Sequence, residues 1–388
     1  MREVTDAQRR ARLGARHALS RRAGSVVEAV EQMTCLHATE PASVYLSAFA
    51  RVDASRSDID QALYEERSVV KQLAMRRTLF AFPRDVLPAV WGSASARVLG
   101  QLRTRLAKEV ESNGLADDGA AWLESRFDEV LRSLRTEGPS TTAELRERIP
   151  DLALRLELAP GKKYGGRFPI APRLLGTLAV GGQIVRGANN SGWHVSRPRW
   201  ELTEEWLGEP VRHAEPADGY RVLVERWLRT FGPGTEADLV WWLGATKGVV
   251  RRALADLGAV EVGLRDQVGY LLPDDLDDVP EPEPWAALLP VLDPTVMGWK
   301  QRGFYLDEED VPHLFDTNGN AGTTAWWNGR IVGCWVQDDE GVVSVVLRHD
   351  IGDEGTRALD TEASRLTEWL DGHRVGTVYP SALMKSVR

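Results

Sequence analysis

Val69-Val70-Lys71-Gln72-Leu73-Ala74-Met75-Arg76-Arg77-Thr78-Leu79-Phe80-Ala81-Phe82 is the stretch on which the reading of the fold depends. β-Branched and aromatic residues alternate on either side of a short basic centre. That pattern predicts strands over 69–73 and 78–82, joined at Ala74-Met75-Arg76-Arg77. Upstream, the spacing predicts helices. One runs over 6–20, with Thr5 or Asp6 able to cap it. A second opens at Gly24-Ser25 and buries Val26, Val27, Val30 and Met33. A third runs over 41–51, with Pro41 at its first position, and a fourth follows Ser57-Asp58-Ile59-Asp60 through Glu66. Helices followed by a two-stranded ribbon are the pattern of a winged helix-turn-helix unit.

Working outward, the pattern recurs. A long basic helix is expected from Arg84 to about Val110, and another over 117–134. Thr141-Thr142-Ala143-Glu144 reads as a capping box. A helix over 169–181 and a ribbon made of 183–186 and 193–196 complete a second unit. A helix over 219–231, a second capped by Thr235-Glu236-Ala237-Asp238 and a third over 246–257, with a ribbon of 260–264 and 267–272, complete a third unit. Asp274–Pro284 is rich in acids and prolines and reads as a solvated linker. Beyond it, short β-rich runs at 325–327, 331–337 and 342–347 alternate with turn signals such as Asn328-Gly329. A helix over 361–370 and a last strand over 375–379 follow. The expected class is α+β: tandem winged helices at 1–112, 113–210 and 211–273, the linker at 274–284, and a small β-barrel-like domain at 285–388.

The chain's 388 residues are too many for one core, and its composition is that of a soluble globular protein. No apolar run is long enough to span a bilayer, and the N-terminus lacks an apolar signal core. Cys35 and Cys334 form neither a disulfide framework nor a zinc site, which fits a reducing cytoplasm. The net charge of −9 is unevenly spread. Residues 1–110 carry 18 Lys and Arg against 12 Asp and Glu, whereas 271–388 carry 9 against 22. Such polarity allows one face to meet phosphates while the other stays acidic.

Candidate chemistry gathers in a few places. In Cys35-Leu36-His37-Ala38-Thr39-Glu40-Pro41, His37 and Thr39 sit in a connection between helices. His37 is able to act as base or hydrogen-bond donor, and Thr39 to hold a water. From Gly161 to Gly187 there are five basic residues (Lys162, Lys163, Arg167, Arg173 and Arg186) and no acid. Glycines and aromatics are interleaved there, as suits close approach to a phosphate backbone. Arg76 and Arg77 at the first ribbon turn are further phosphate candidates. Asp293, at the end of the apolar run Leu289-Pro290-Val291-Leu292, is expected either to cap a turn or to face the reaction site. Lys300 and Arg302 follow it closely. Asn318, in Asn318-Gly319-Asn320, marks a tight turn suited to a minor groove. No phosphate-binding loop, hydrolase elbow or metal cluster occurs, so neither cofactor nor metal is expected.

Four stretches together resemble the AlkZ/YcaQ-like winged-helix DNA glycosylases. They are Leu36-His37-Ala38-Thr39-Glu40-Pro41, Met75-Arg76-Arg77-Thr78-Leu79-Phe80, Leu289 to Lys300, and Leu314-Phe315-Asp316-Thr317-Asn318-Gly319-Asn320-Ala321-Gly322. The resemblance implies monofunctional hydrolysis of the N-glycosidic bond of bulky or crosslinked N-alkylated purines. Some members protect producers of DNA-damaging antibiotics. The expected partner is double-stranded DNA carrying alkylated purines, with a DNA-alkylating natural product as a further ligand. The protein is expected to be a monomer in the cytoplasm, at the nucleoid. The family's catalytic motif is Gln-x-Gln or Gln-x-Asp where this chain has His37-Ala38-Thr39, so both polar positions depart from it. The same resemblance makes His37 a base or electrostatic partner and Thr39 the water holder, with Asp293 a third catalytic candidate. Two other readings stand beside it: a non-catalytic DNA-binding or lesion-sequestering protein, and a small-molecule binder built on the C-terminal tryptophans Trp299, Trp326, Trp327 and Trp335.

Overall fold

The computed structural model describes residues 1–387. It is mixed α and β, with five small sheets among the described residues and no large one. Two compact units are present. The first is formed by Met1–Val70, Phe80–Arg84 and the chain from Tyr220 onward; the second by Lys71–Leu79 and Asp85–Gly219.

The first unit begins with helices whose starts follow from local chemistry. Thr5 accepts the Gln8 N–H and caps Asp6–Arg16, and Ser25 caps Val26–Gln32 in the same way. The next helix, Pro41–Phe49, is buried on every side from Ala42 onward, as its near-uniform apolarity requires. The following helix starts at Ser55, earlier than Ser57, because Ser55 and Asp58 complete a reciprocal capping box. The ribbon strands are Val69–Leu73 and Leu79–Pro83, and the sheet has a third member that the sequence did not suggest. Leu36–His37 pairs antiparallel with the ribbon, Leu36 opposite Ala81 and His37 opposite Phe80.

Farther along the first unit, the ribbon Val260–Leu264 and Gln267–Leu271 gains Arg2–Glu3 as a parallel edge and Gly234–Thr235 as an antiparallel one. The acidic stretch from Asp274 is irregular, yet it is not simply solvated. Asp275 accepts from Arg12 and Arg16, while Asp274 pairs with Arg229 and Asp278 with Arg2. The C-terminal strands Ala286–Leu289, Thr324–Trp327, Arg330–Gln337 and Val343–Leu347 pair in that order, all antiparallel. This sheet is open, so the expected barrel does not close: the first and last strands do not pair with each other, and four strands are too few to enclose a packed interior. The helix Gly352–Leu370 instead packs against the sheet, burying Leu359, Ala363, Leu366 and Leu370. Residues 375–379 are not a strand. The N–H groups of Val375 and Val378 go to the side chains of Gln337 and Glu40 instead of a ladder, and the Thr377 hydroxyl also donates to Glu40.

The second unit packs Leu106, Phe127, Leu145, Leu174 and Trp200 into one core. The basic helix expected after Arg84 is present as one unbroken helical run over 84–112, which changes from a 3-10 turn at Arg84–Val86 through α and π turns before it settles as the α-helix Ala96–Ser112. Gly119–Glu137 and the boxed helix Thr142–Arg148 follow. Two hairpins complete the unit. One, Arg155–Leu158 with Gly166–Pro169, went unread in the sequence. The other joins Ile184–Asn189 to Pro198–Leu202, so its return strand lies beyond the expected 193–196. Trp200 decides that register, since its side chain belongs to the core. Among the described residues no helix is long and apolar enough to cross a membrane.

Candidate active site and nucleic-acid interface

His37 on the strand Leu36–His37 and Thr39 just beyond it are two polar side chains in opposite settings. Alternation along an extended chain puts Leu36 and Ala38 in the core, and both are buried. His37 is 7% exposed, and its ring meets the edge of Phe80 with centroids 5.4 Å apart. The backbone N–H of Thr39 donates a long bond of 3.4 Å to His37 Nδ1. With Nδ1 accepting, the neutral ring carries its proton on Nε2 and is a donor there. Thr39 is exposed, and Glu40 beside it is half-buried. The Glu40 carboxylate accepts from Thr377 Oγ1 at 2.9 Å and from the Val378 N–H at 2.7 Å. Burial pushes this carboxyl above its ordinary range, and the two hydrogen bonds only partly oppose that. Sequence reasoning quoted Glu40 without selecting it. The available signal was a carboxylate at the N-cap of a helix led by Pro41 that makes no capping bond there.

Behind the motif lies a buried polar network. Asp293 is fully buried, and its carboxylate accepts from Ser47 Oγ at 2.7 Å, from Arg51 Nη1 and Nη2 at 2.9 and 2.6 Å, and from the Thr295 N–H at 2.9 Å. Burial alone would raise its pKa, but the Arg51 guanidinium and these donors hold it below the usual carboxylate value. Asp293 therefore does what a turn-capping aspartate does, at the N-cap of Pro294–Met297. Thr295 Oγ1 continues the chain of bonds to His17 Nδ1 at 2.9 Å, and His17 Nε2 reaches the Thr230 carbonyl at 3.2 Å. Thr230 Oγ1 meets Thr34 Oγ1 at 2.9 Å, one residue before Cys35. The segment holding the motif is thus tied down at both ends, by Thr34 before it and by Ser47 and Arg51 after it. Desolvation, then the nearby Arg51 charge, lowers the His17 pKa to about 3, so this ring is neutral. Neither Arg51 nor His17 was selected from the sequence. Both signals are long-range, with Arg51 and Asp293 lying 242 residues apart.

The basic candidates divide into two groups. Lys162, Lys163 and Arg167 are exposed on the hairpin of the second unit, next to Tyr164 (75% exposed) and Phe168 (39% exposed). Gly165 is obligatory in that loop, because a Cβ there would run into the Ala159 carbonyl. Arg173, in contrast, is engaged by Glu109 at 2.9 Å, and Arg186 lies over the Trp200 ring at 4.6 Å. Burial lowers the pKa of Arg186 to about 10. Arg76 and Arg77 form the ribbon turn with left-handed backbones, φ 54° and 60°; Arg77 is exposed and Arg76 half-buried. In the first unit, Lys300 is exposed while its backbone N–H binds Asp238. Arg302 is half-buried between the rings of Trp241 and Phe315. Asn318 is exposed in a turn held by Asp316, which accepts from the N–H groups of Asn318 and Asn320. His37 and Thr39 thus precede the helix Pro41–Phe49 of the first unit, and Asp293 is bonded to Ser47 near the other end of that helix and to Arg51 beyond it. The hairpin lysines belong to the second.

The comparisons with known proteins bear directly on this arrangement. Residues 30–369 match the family model described as AlkZ-like: DNA glycosylase AlkZ-like. The chain belongs to this family. Among solved structures it is similar to the Streptomyces sahachiroi DNA glycosylase AlkZ, with a TM-score of 0.74 at 19% identity. The match covers 94% of this chain and 97% of the other, so the fold is shared over nearly its full length. No curated protein matches the chain. In this AlkZ-like chain the motif strand, Asp293 with its partners Ser47, Arg51 and Thr295, and the helix between them fall inside the matched span, whereas His17 precedes it.

Proposed function

We propose that this protein is a monofunctional DNA glycosylase that hydrolyses the N-glycosidic bond of bulky or crosslinked N-alkylated purines in double-stranded DNA. Membership in the AlkZ-like family supports the reaction class. The observation that carries the residue assignment is the fixed strand Leu36–His37, which leads into an exposed Thr39. N-Alkylation leaves the base cationic, so the breaking C1′–N bond returns its electron pair to the ring nitrogen and neutralises the leaving group. Bond cleavage leads and water addition follows, and the water loses its proton late, to solvent. The site then has to orient the water and stabilise oxocarbenium character rather than supply a strong base. Thr39 Oγ1 holds the water. His37 Nε2–H is the donor that fixes its lone pairs. Asp293 acts through Arg51 and Ser47 as a positioning residue. The three helix-and-ribbon groups serve as winged helices, with Lys162, Lys163, Arg167, Arg76 and Arg77 as phosphate contacts.

The test is incubation with duplex DNA carrying N7-alkylguanine or a mustard crosslink, followed by assay for abasic product. Product formed by the natural protein, and not by the His37→Ala/Thr39→Ala double variant, is expected. Equal yields from both, or none from either, would remove the catalytic assignment. The departure from the Gln-x-Gln and Gln-x-Asp motifs favours a second reading, a protein that binds lesions without cleaving them. It is distinguished by tight binding of adducted duplex with no abasic product.

A further inference from the structure

A cavity of about 620 Å³ opens in the first unit beside the motif. That volume lies within the range of small-molecule sites. Its walls combine an apolar part, supplied by Leu46, Pro290, Val291, Trp335 and Met384, with a few polar groups. Glu40 lines it, and so do Ser43 and Thr323. Glu40 directly follows Thr39, and consecutive Cα atoms are about 3.8 Å apart. The cavity wall thus begins one residue after Thr39, although neither His37 nor Thr39 lines it.

The charge of the lining narrows the occupant. Glu40, Asp338 and Asp339 face a single guanidinium, Arg374, which is itself paired with Asp339 at 2.9 Å. A phosphate backbone would be repelled from such a wall, whereas a cationic or neutral organic group would not. Both hydrogen bonds to Glu40 fall on Oε1. Among the described residues, no bond to Oε2 is made. The Trp335 Nε1–H is spent on the Leu289 carbonyl at 2.8 Å, so its indole contributes to this wall as an apolar and π surface.

Resting on the glycosylase reading above, we propose that this cavity receives the arm of a bulky adduct, an apolar group bearing an amine, while the base that carries it lies against His37 and Thr39. Glu40 pairs with the arm's ammonium, and Trp335, Val291 and Leu46 take its apolar part. Substrate selection by size and charge then resides in this cavity, apart from the residues that hold the water.

Gly376 gives the means to test it. It lines the cavity, and a Cβ added there meets no atom within 4 Å. Gly376→Trp should therefore fill the space without disturbing the fold, which circular dichroism and thermal unfolding would verify. Two duplexes are compared, one with N7-methylguanine and one with N7-guanine bearing an aminoalkyl-aryl arm. In Gly376→Trp the ratio of kcat/KM for the bulky to the methyl substrate is expected to fall about tenfold or more, as loss of a filled apolar subsite does. Glu40→Gln is expected to lower that ratio for the ammonium arm and leave it unchanged for an uncharged arm of the same size. An unchanged ratio in folded Gly376→Trp would overturn the proposal. Should neither base be released by the natural protein, the glycosylase reading fails by itself, and the ratio of dissociation constants for the two duplexes tests the cavity in its place. Binding of the free aminoalkyl-aryl compound as tight as that of the adducted duplex would also overturn it, assigning the cavity to the small molecule.

Discussion

His37 and Arg51 show how differently two polar residues behave in the same buried setting. His37 is fixed by a strand register and an aromatic edge, and its Nε2–H is the donor assigned to chemistry. Arg51 is committed entirely to structure. Its bonds to Asp293 and Thr295 replace the water that both charges lost. Removing one partner leaves an uncompensated buried charge, so Asp293→Ala is expected to destabilise the first unit by about 3–5 kcal/mol in urea unfolding. A loss below about 1 kcal/mol would show that water reaches the pair. His17 makes a pH prediction. Its pKa is about 3 in the folded chain against 6.5 for the ordinary ring. Between those values the unfolded chain binds a proton that the folded chain does not. Stability therefore falls as pH drops through that window, by roughly 1.4 kcal/mol per unit from this group. His17→Gln should flatten that slope between pH 6 and about 4 even where it lowers stability overall; an unaltered slope would show that the buried ring takes up a proton in the folded state.

The exposed basic hairpin of Arg155–Leu158 and Gly166–Pro169 stands out among the elements, because the sequence declared its charge but not its shape. Lys162, Lys163 and Arg167, from the acid-free basic run at 161–187, were visible, and the hairpin that carries them was not, since only Leu156 of its first strand is fully buried and the second strand has no buried residue. A strand with no buried face leaves no period-two pattern to read. The opposite case is the turn Asn328-Gly329, whose positive φ values of 46° and 78° are what the pair of residue types announces. If the hairpin meets DNA, its lysines displace counterions. Lys162→Ala/Lys163→Ala should weaken binding about equally across sequences and lower the slope of log K against log salt by roughly 0.9 for each phosphate no longer neutralised. A wild-type slope in the double variant would take the hairpin out of the interface. Tyr164→Ala tests the aromatic contribution separately, through affinity for single-stranded DNA.

At the scale of the whole molecule, local chemistry was legible and distant pairing was not. The capping box at Thr141 stood in the sequence because both partners lie within three residues. The chain's polarised charge was equally plain. The Arg51–Asp293 pair, the bond of Thr377 to Glu40 and the cavity beside it were hidden, because they join residues from opposite ends of the chain. The misread strand at 375–379 belongs to the same class: its backbone N–H groups go to side chains, that of Val375 to Gln337 and that of Val378 to Glu40, more than three hundred positions away. The candidate site was therefore half legible. His37 and Thr39 were found by their place between helices and by family resemblance, whereas Glu40 and the supporting network needed the fold.

The most direct test of this assignment is the single-turnover rate of N7-methylguanine release from duplex DNA by the natural protein, by His37→Ala and by Thr39→Ala, each verified as folded. Loss of a positioned donor or of the water holder is expected to slow release by about a hundredfold or more, with binding of the duplex changed little. Release at the natural rate in both variants would contradict the placing of the chemistry at this strand.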